Sequence, residues 1–410
     1  MPALPRALID FARVCAGLCL LVAPFHASAG WRGGLLLLAA LAIVLQCFLQ
    51  RDASGLFPER PLLMAITGWW VLCTFVWSIL FEPATMGEWK RDVLTPVLAV
   101  PVYYVLTRDR EDFARWLWPL FTGLVLLTLF LLSDPTDAME SMRQPWYGGV
   151  GSLVTWLVAL AALAPLVILE SRSNPQVRRM MWVALVFLLV CAYFTMNRTV
   201  WVCFAAMLSI YAAGTLLPPH APRAKPAHVA VTVLAGIGVF VVLGFSSVQH
   251  RFEYQVLAKV EHDPRGQILS QSFAVVEREY RAGLGFGIDT LRERLMQRMA
   301  DPSIADHYGH AHNLVLNYTL QMGLIGTVTI LMLMATLAWT FAVIRGRGGL
   351  LEVVGLCGLL LVAGIFLRNM TDDFFNRHNA LLFWAITGML LGLARSNLSG
   401  HDSTHPDPAP

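Results

Sequence analysis

The stretch GGLLLLAALAIVLQCFL fills residues 33–49 and contains no charged side chain. It supplies most of the roughly 20 apolar residues that a helix needs to cross a bilayer. Segments of similar character recur along the 410-residue chain. This recurrence predicts an all-α, polytopic membrane protein.

The composition of the whole chain agrees with that prediction. Hydrophobic residues make up 57% and charged residues 14%, and the mean hydropathy is +0.60. A chain of this length has too little polar surface for a soluble protein, so membrane lipid is its expected solvent. The net charge of +3 and the lack of a basic run argue against a nucleic-acid partner.

The seven cysteines also fit a membrane interior. All of them fall inside apolar segments, where free cysteine behaves as a small core residue. The chain offers no further ligands close to them, so we expect neither disulfides nor a metal site.

Counting segments of the length of a membrane helix gives about twelve predicted transmembrane helices. The third segment carries the pair Trp69-Trp70 and the sixth is flanked by Trp146 and Tyr147, as is expected of amphipathic rings near lipid headgroups. The approximate centres are Leu18, Ile43, Val71, Leu98, Leu124, Ala159, Phe187, Met207, Ile237, Ile330, Leu361 and Gly388.

The distribution of Lys and Arg predicts the orientation of these helices. Alternate loops carry an excess of basic residues, which is the mark of the cytoplasmic side. The short loops between them mix basic with acidic residues, as at 88–92 and 368–377. Both termini are therefore expected in the cytoplasm. The basic loops contain Arg51 and Arg60; Arg108 and Arg110; Arg172, Arg178 and Arg179; Arg223 and Lys225; and Arg345 and Arg347.

One long polar segment, residues 247–312, interrupts the apolar pattern on the external side. Within it, Ser270–Arg281 and Thr290–Met299 have helical periodicity, and the glycine-rich stretch 283–287 between them predicts a flexible break. We call residues 247–312 the lid. Residues 1–246 would then hold nine transmembrane helices and residues 313–395 three more, followed by a disordered cytoplasmic tail at 396–410.

A short motif stands where the chain re-enters the membrane after the lid. His312-Asn313 is followed, after nine residues, by the sequence GLIG at 323–326, and the lid itself contains the pair Arg265-Gly266. This H-N-x9-G-x-x-G arrangement and the late external loop resemble the superfamily of O-antigen ligases and Wzy-type polymerases. The resemblance implies a GT-C-like membrane fold in a Gram-negative inner membrane, with the lid in the periplasm. It also implies a glycan donor linked to undecaprenyl diphosphate and a lipid A-core acceptor.

His312 is the predicted catalytic base. A histidine at a helix end beside an external lid meets both water and a membrane-bound substrate, and its ordinary pKa suits proton removal from a sugar hydroxyl. The alternative is that His312 only anchors a helix end at the membrane interface. His307 and His310 are rival bases that we interpret as solvated loop residues.

Arg265 and Arg198 are the predicted diphosphate ligands, because a guanidinium offers paired donors to phosphate oxygens. The alternative for Arg265 is an ordinary surface role, and the resemblance favours the functional one. Arg198 lies between two apolar runs, 183–194 and 200–217, where a charge is costly and needs a partner or a function. Its alternative is a short external turn from which the side chain reaches the interface.

The remaining candidates have supporting roles. Asn313 could orient the imidazole or bind sugar, and Asn317 and Tyr318 are candidate pocket residues one turn into the helix. Gly323 and Gly326, spaced small-x-x-small, predict close approach of another helix. Asp372-Asp373 is expected to pair with nearby arginines or to bind acceptor rather than metal.

These residues predict an inverting glycosyltransferase that needs no metal or cofactor, and the resemblance implies that it acts as an O-antigen ligase. Three alternatives remain open: a Wzy-type polymerase, a protein O-oligosaccharyltransferase and, from a different class, a lipid-linked glycan flippase. The flippase is disfavoured because the chain shows no internal repeat of the kind found in many transporters.

Overall fold

The computed structural model describes residues 3–25, 28–51, 55–81, 86–132, 149–173, 175–195, 197–216, 236–243, 264–301, 310–371 and 375–399, together with residues 227, 234 and 246. In these ranges the protein is all-helical. The all-α prediction is therefore confirmed for the described part of the chain.

Fifteen helices organise this part, and we number them in chain order. The π-helical turn Lys90–Leu94 joins α4 to α5, and residues 236–243 are also helical. The bounds are α1 Ala3–Val22, α2 Ala29–Gln50, α3 Pro61–Phe81, α4 Met86–Trp89, α5 Thr95–Leu106, α6 Arg110–Leu132, α7 Gly149–Ala161, α8 Ala164–Ser173, α9 Pro175–Phe194, α10 Arg198–Leu216, α11 Pro264–Glu279, α12 Ile288–Arg298, α13 Leu314–Arg345, α14 Gly349–Asn369 and α15 Arg377–Ser399.

Six of the described helices are long and apolar enough to cross a membrane: α2, α3, α6, α10, α13 and α14. The pair α7 and α8, bent by 45° at a short break, makes a seventh if it is counted as one span. The centres of all predicted segments lie in helical residues. The protein is thus a helical membrane protein with at least six candidate spans, while the number twelve stays a prediction.

The last helix lies at the centre of the packing. All residues of α15 from His378 to Ala394 are buried, and α15 runs along α5. Close approach of the two backbones depends on glycine: a Cβ at Gly388 would lie 2.6 Å from the Val100 carbonyl oxygen, and one at Gly392 would lie 2.5 Å from that of Thr107. Small residues favour such contacts in membranes because they let backbones pack closely.

The lid brings a second, smaller core. Val275 of α11 and Leu291 and Leu295 of α12 are buried against Leu316 and Leu320 at the start of α13. The two predicted lid helices are therefore present as α11 and α12, and they are packed onto the membrane helices. This contact places the lid directly over the His312 region.

Candidate active site

His312 precedes α13 in an unusual backbone conformation. Its φ is 52°, in the left-handed region that non-glycine residues rarely adopt. Hydrogen bonds on both sides hold it there. The Ala311 N–H donates to the Asn317 side-chain oxygen (2.8 Å), and Asn313 caps α13 by accepting the Leu316 N–H (3.0 Å). The half-buried imidazole is therefore presented by a fixed turn rather than by a loose loop end.

The imidazole of His310 lies against that of His312. The ring centroids are 4.2 Å apart and the planes differ by 38°. His310 is half-buried, so it is not the fully solvated residue that the sequence suggested. The spacing i, i+2 gave no hint of ring contact, because the contact depends on the left-handed turn at His312. His307 lies outside the described residues.

Three helix ends converge beside His312. The Asn313 amide donates to the Met370 carbonyl oxygen just beyond α14 (3.1 Å), and the hydroxyls of Thr199 and Thr371 are 2.9 Å apart. Thr199 is the second residue of α10, whose first residue is Arg198. The start of α13, the end of α14 and the start of α10 therefore meet at residues 370–371.

For the two predicted diphosphate ligands, the structure describes the position of the backbone but not of the side chain. Arg198 begins α10, and Arg265 is the second residue of α11. Their side chains lie outside the described part of the structure, as do Asp372 and Asp373. The roles predicted for these residues stay predictions.

Asn317 and Tyr318 make structural contacts near His312, and their place in a substrate pocket stays a prediction. Asn317 is fully buried and holds the Ala311 backbone, while the Tyr318 hydroxyl accepts a hydrogen bond from the Trp70 indole N–H (3.1 Å). The Tyr318 ring also contacts Phe286 of the lid. Both residues help to hold the backbone turn at His312.

The GLIG motif breaks α13 rather than forming one face of a straight helix. Gly323 has φ 65° and ψ −153°, so the helical backbone is interrupted there. The two halves of α13 then lie side by side: the hydroxyls of Thr319 and Thr327 are 2.5 Å apart, and a Cβ at Gly326 would lie 2.1 Å from the Tyr318 carbonyl oxygen. Close approach at this motif therefore occurs within α13 at Gly326, and at Gly323 with the lid backbone just after α11.

The glycine-rich stretch 283–287 caps this break. Leu284 and Gly285 donate their N–H groups to the carbonyl oxygens of Leu320 and Gln321 (2.7 and 2.9 Å), which the broken helix leaves without α-helical partners. Leu324 in turn donates to Tyr280 (2.8 Å). A Cβ at Gly283 would lie 2.6 Å from the Gln321 carbonyl. The stretch is thus a fixed contact between the lid and α13, which corrects the prediction of a flexible break.

A cluster of charged residues joins the lid to the membrane helices, and we call it the lid-anchoring cluster. The Glu88 carboxylate accepts the Asp289 N–H at the start of α12 (3.1 Å). Arg91 and Arg377 both reach the Asp289 carboxylate (3.2 and 3.4 Å), and Arg377 also lies 3.6 Å from Asp92. Three separate parts of the chain therefore meet through these ion pairs.

Burial raises the pKa of two carboxyl groups in this cluster, those of Asp92 and Glu88. Loss of solvent raises the pKa of Asp92 to about 7, although Arg377 and Arg91 act in the opposite direction. Burial, together with the charge of Asp289, also raises the pKa of Glu88. Asp92 lies before α5 and outside the six helices that are long and apolar enough to cross a membrane.

A buried polar group links α7, α14 and α15, and sequence reasoning missed it. Ser152 lies 2.9 Å from the imidazole of His378 and accepts a hydrogen bond from Asn379 (3.1 Å), while Arg368 donates to the Gly151 carbonyl oxygen (3.3 Å). Polar residues at 368–369 and 377–379, at the ends of two apolar segments, were a usable signal. Ser152 gave none, because a single serine in an apolar helix is common.

Among the described residues, no three or more His, Cys, Asp or Glu side chains form a group able to hold a metal ion. Metal-independent chemistry remains a prediction.

The fold and this site define a class of protein: a helical membrane protein whose polar site forms where several apolar helices end beside a packed helical lid. Residues 183–331 match the model of the O-antigen ligase family. The matched segment contains Arg198, Arg265, His312 and Asn313, and it confirms the resemblance seen in the sequence. The match supports a membrane glycan-transfer function of the ligase or polymerase type. No curated protein matches the chain.

Proposed function

We propose that the protein is an O-antigen ligase that transfers a glycan from undecaprenyl diphosphate to the lipid A-core oligosaccharide of lipopolysaccharide. The observation that carries this proposal is the placement of His312 on a fixed turn at the meeting point of α10, α13 and α14. The family match over residues 183–331 supports the same chemistry.

The proposed reaction is a direct displacement. An acceptor hydroxyl attacks the anomeric carbon, the bond from that carbon to the diphosphate oxygen breaks, and the electron pair leaves with the lipid diphosphate. His312 takes the hydroxyl proton as general base. A single displacement inverts the anomeric configuration, and no metal or cofactor takes part.

Arg265 and Arg198 are proposed to hold the diphosphate and to stabilise its growing charge. Positive groups that are fixed before the reaction stabilise a transition state most effectively. Arg198 begins α10, and a helix N-terminus itself favours an anion through its dipole and its free N–H groups. This local geometry supports the choice of Arg198 over a residue that only reaches the interface.

The site is proposed to face the periplasm of a Gram-negative bacterium. In this arrangement the protein has about twelve spans in the inner membrane, with both termini in the cytoplasm, and the lid covers the external ends of the helices. Support comes from the asymmetry of Lys and Arg between alternate loops. It also comes from the packing of α11 and α12 over the His312 region.

One experiment separates this proposal from its alternatives. Purified protein is incubated with undecaprenyl-diphosphate-linked glycan and with one acceptor at a time. Transfer to lipid A-core supports the ligase. Elongation of the lipid-linked glycan indicates a polymerase, and transfer to a pilin indicates a protein O-oligosaccharyltransferase. Movement of the donor across vesicles without transfer indicates a flippase, and any of these last three results would overturn the proposal.

A further inference from the structure

The connection between α14 and α15 is held at both ends by two adjacent residues of α7. Arg368, before the connection, donates to the Gly151 carbonyl oxygen (3.3 Å). His378, after it, lies 2.9 Å from the hydroxyl of Ser152. Asn379 strengthens the second contact by donating to the same hydroxyl (3.1 Å). We call this buried group the α7 anchor.

The α7 anchor lies inside the protein. Ser152, His378 and Asn379 are at most 4% exposed, and Arg368 is fully buried. A polar group that is buried without a partner destabilises the fold, and a buried unpaired charge destabilises it more. Apolar side chains could hold the three membrane helices together without any need for hydrogen-bond partners. Hydrogen bonds between defined donors and acceptors fix helix ends more specifically than apolar packing does.

The connection next to the α7 anchor touches two elements of the proposed site, the start of α13 and the start of α10. Met370 accepts the hydrogen bond from Asn313, and Thr371 meets Thr199 beside the start of α10. Phe375 packs on Trp70, whose indole N–H donates to Tyr318 in the His312-bearing half of α13. A shift of the connection would therefore change the distance between His312 and the first turn of α10.

We infer that Ser152 and His378 are positioning residues for glycan transfer. They act through residues 370–371 and 375–376 at the two ends of the connection, which set the general base at His312 against the diphosphate site at the start of α10. Their contacts in the α7 anchor give both side chains a positioning role in this inference. This inference rests on the proposed function, and it adds a positioning role to residues that the motif does not include.

The test compares Ser152→Ala and His378→Leu with two matched variants. His378→Gln keeps a side-chain amide able to bond the Ser152 hydroxyl. Ser209→Ala removes a serine hydroxyl that, among the described residues, bonds its own helix at Ala205 (2.9 Å). A misplacement of about 1 Å can cost on the order of 100-fold in rate. We therefore expect kcat to fall about 10-fold to 100-fold in Ser152→Ala and His378→Leu, with little change in KM for the donor.

Two further results are expected from the same proteins. His378→Gln should recover most of the turnover, and Ser209→Ala should match the parent. Hydrogen exchange at residues 311–317 and 199–203 should be faster in Ser152→Ala and His378→Leu than in either matched variant. This exchange measurement does not depend on which acceptor is used.

The inference is overturned if Ser152→Ala and His378→Leu keep parental kcat, or if they only lower the folded fraction while kcat per folded molecule is unchanged. Unchanged exchange at 311–317 would overturn it as well. A parent protein that transfers no glycan would contradict the proposed function instead, and the exchange comparison would still decide whether the α7 anchor holds the His312 turn.

Discussion

The backbone of His312 is the most informative feature at the scale of single residues. A left-handed conformation costs a residue with a side chain of the order of 1–3 kcal/mol and persists only where the surroundings enforce it. Here Asn313 and Asn317 enforce it through three hydrogen bonds, to Leu316, Met370 and Ala311. Such strain is concentrated at functional sites, so the conformation supports a role for His312 beyond that of an interface anchor.

The sequence identified His312 and Asn313 because motif spacing is visible along one chain. It could not identify Ser152 and His378, which are 226 positions apart and meet only after folding. Nor could it show that His310 contacts His312, since that contact follows from one backbone angle.

A prediction at this scale concerns the two arginines. A guanidinium binds diphosphate through both charge and paired geometry, and lysine keeps only the charge. Arg265→Lys should therefore retain part of the transfer activity and Arg265→Ala less, while Arg198→Ala should lose both donor affinity and turnover. Steady-state transfer and donor binding measure these effects. If Arg265→Ala kept the activity of the parent, Arg265 would be an ordinary surface residue of the lid.

At the scale of elements, the decisive feature is the break in α13 and its cap from the lid. Hydropathy predicted one long apolar segment there, because it reports composition and carries no information about a non-helical angle at Gly323. The glycines at 283 and 323 were visible in the sequence, but their partners were not. Each is needed where two backbones come close: a Cβ at Gly323 would lie 2.6 Å from the Tyr280 carbonyl oxygen.

Gly323→Ala is expected to weaken the contact between the lid and α13. Crowding in a packed site costs about 1–3 kcal/mol, and alanine also disfavours the left-handed φ at this position. The variant should unfold at a lower temperature, and protease should cleave its lid faster. Gly68→Ala is the matched control, because a Cβ at Gly68 meets open space. Equal effects of the two substitutions would contradict the role assigned to the break.

The lid-anchoring cluster predicts a pH dependence of stability. Because burial raises the pKa of Asp92 to about 7, the folded protein keeps a proton that the unfolded chain loses at lower pH. Stability should therefore be highest where Asp92 is protonated and should fall as pH rises towards and through 7. Asp92→Asn stays neutral, so its unfolding temperature should fall less between pH 5 and 8. Parallel curves for parent and variant would count against this explanation.

At the scale of the whole molecule, repeated apolar segments correctly predicted an all-helical membrane protein in the described part of the chain. The centre of every predicted transmembrane segment lies in helical residues. Six described helices are long and apolar enough to cross a membrane. The arrangement around α15 could not be predicted in this way, because hydropathy does not tell a helix surrounded by protein from one surrounded by lipid.

Topology is the prediction that belongs to the whole molecule. The Lys and Arg asymmetry places the lid outside and residue 222 inside. Single cysteines introduced at Gln267 and Ser303 should react with a membrane-impermeant reagent added to the periplasm, whereas one at Pro222 should react only after the membrane is opened. The parent is the control, since six of its seven cysteines are buried. Reversed labelling would move the proposed site to the cytoplasm.

His312 is proposed as the general base for glycan transfer. The most direct test of this role is the comparison of His312→Ala with the parent. The assay measures donor binding and transfer to lipid A-core separately, with both proteins confirmed as folded. Removal of a general base typically lowers the rate about 100-fold to 10,000-fold, so His312→Ala should bind the lipid-linked donor normally and transfer almost none of it. Near-parental turnover of His312→Ala between pH 6 and 9 would contradict the claim and leave His312 as an anchor at the membrane interface.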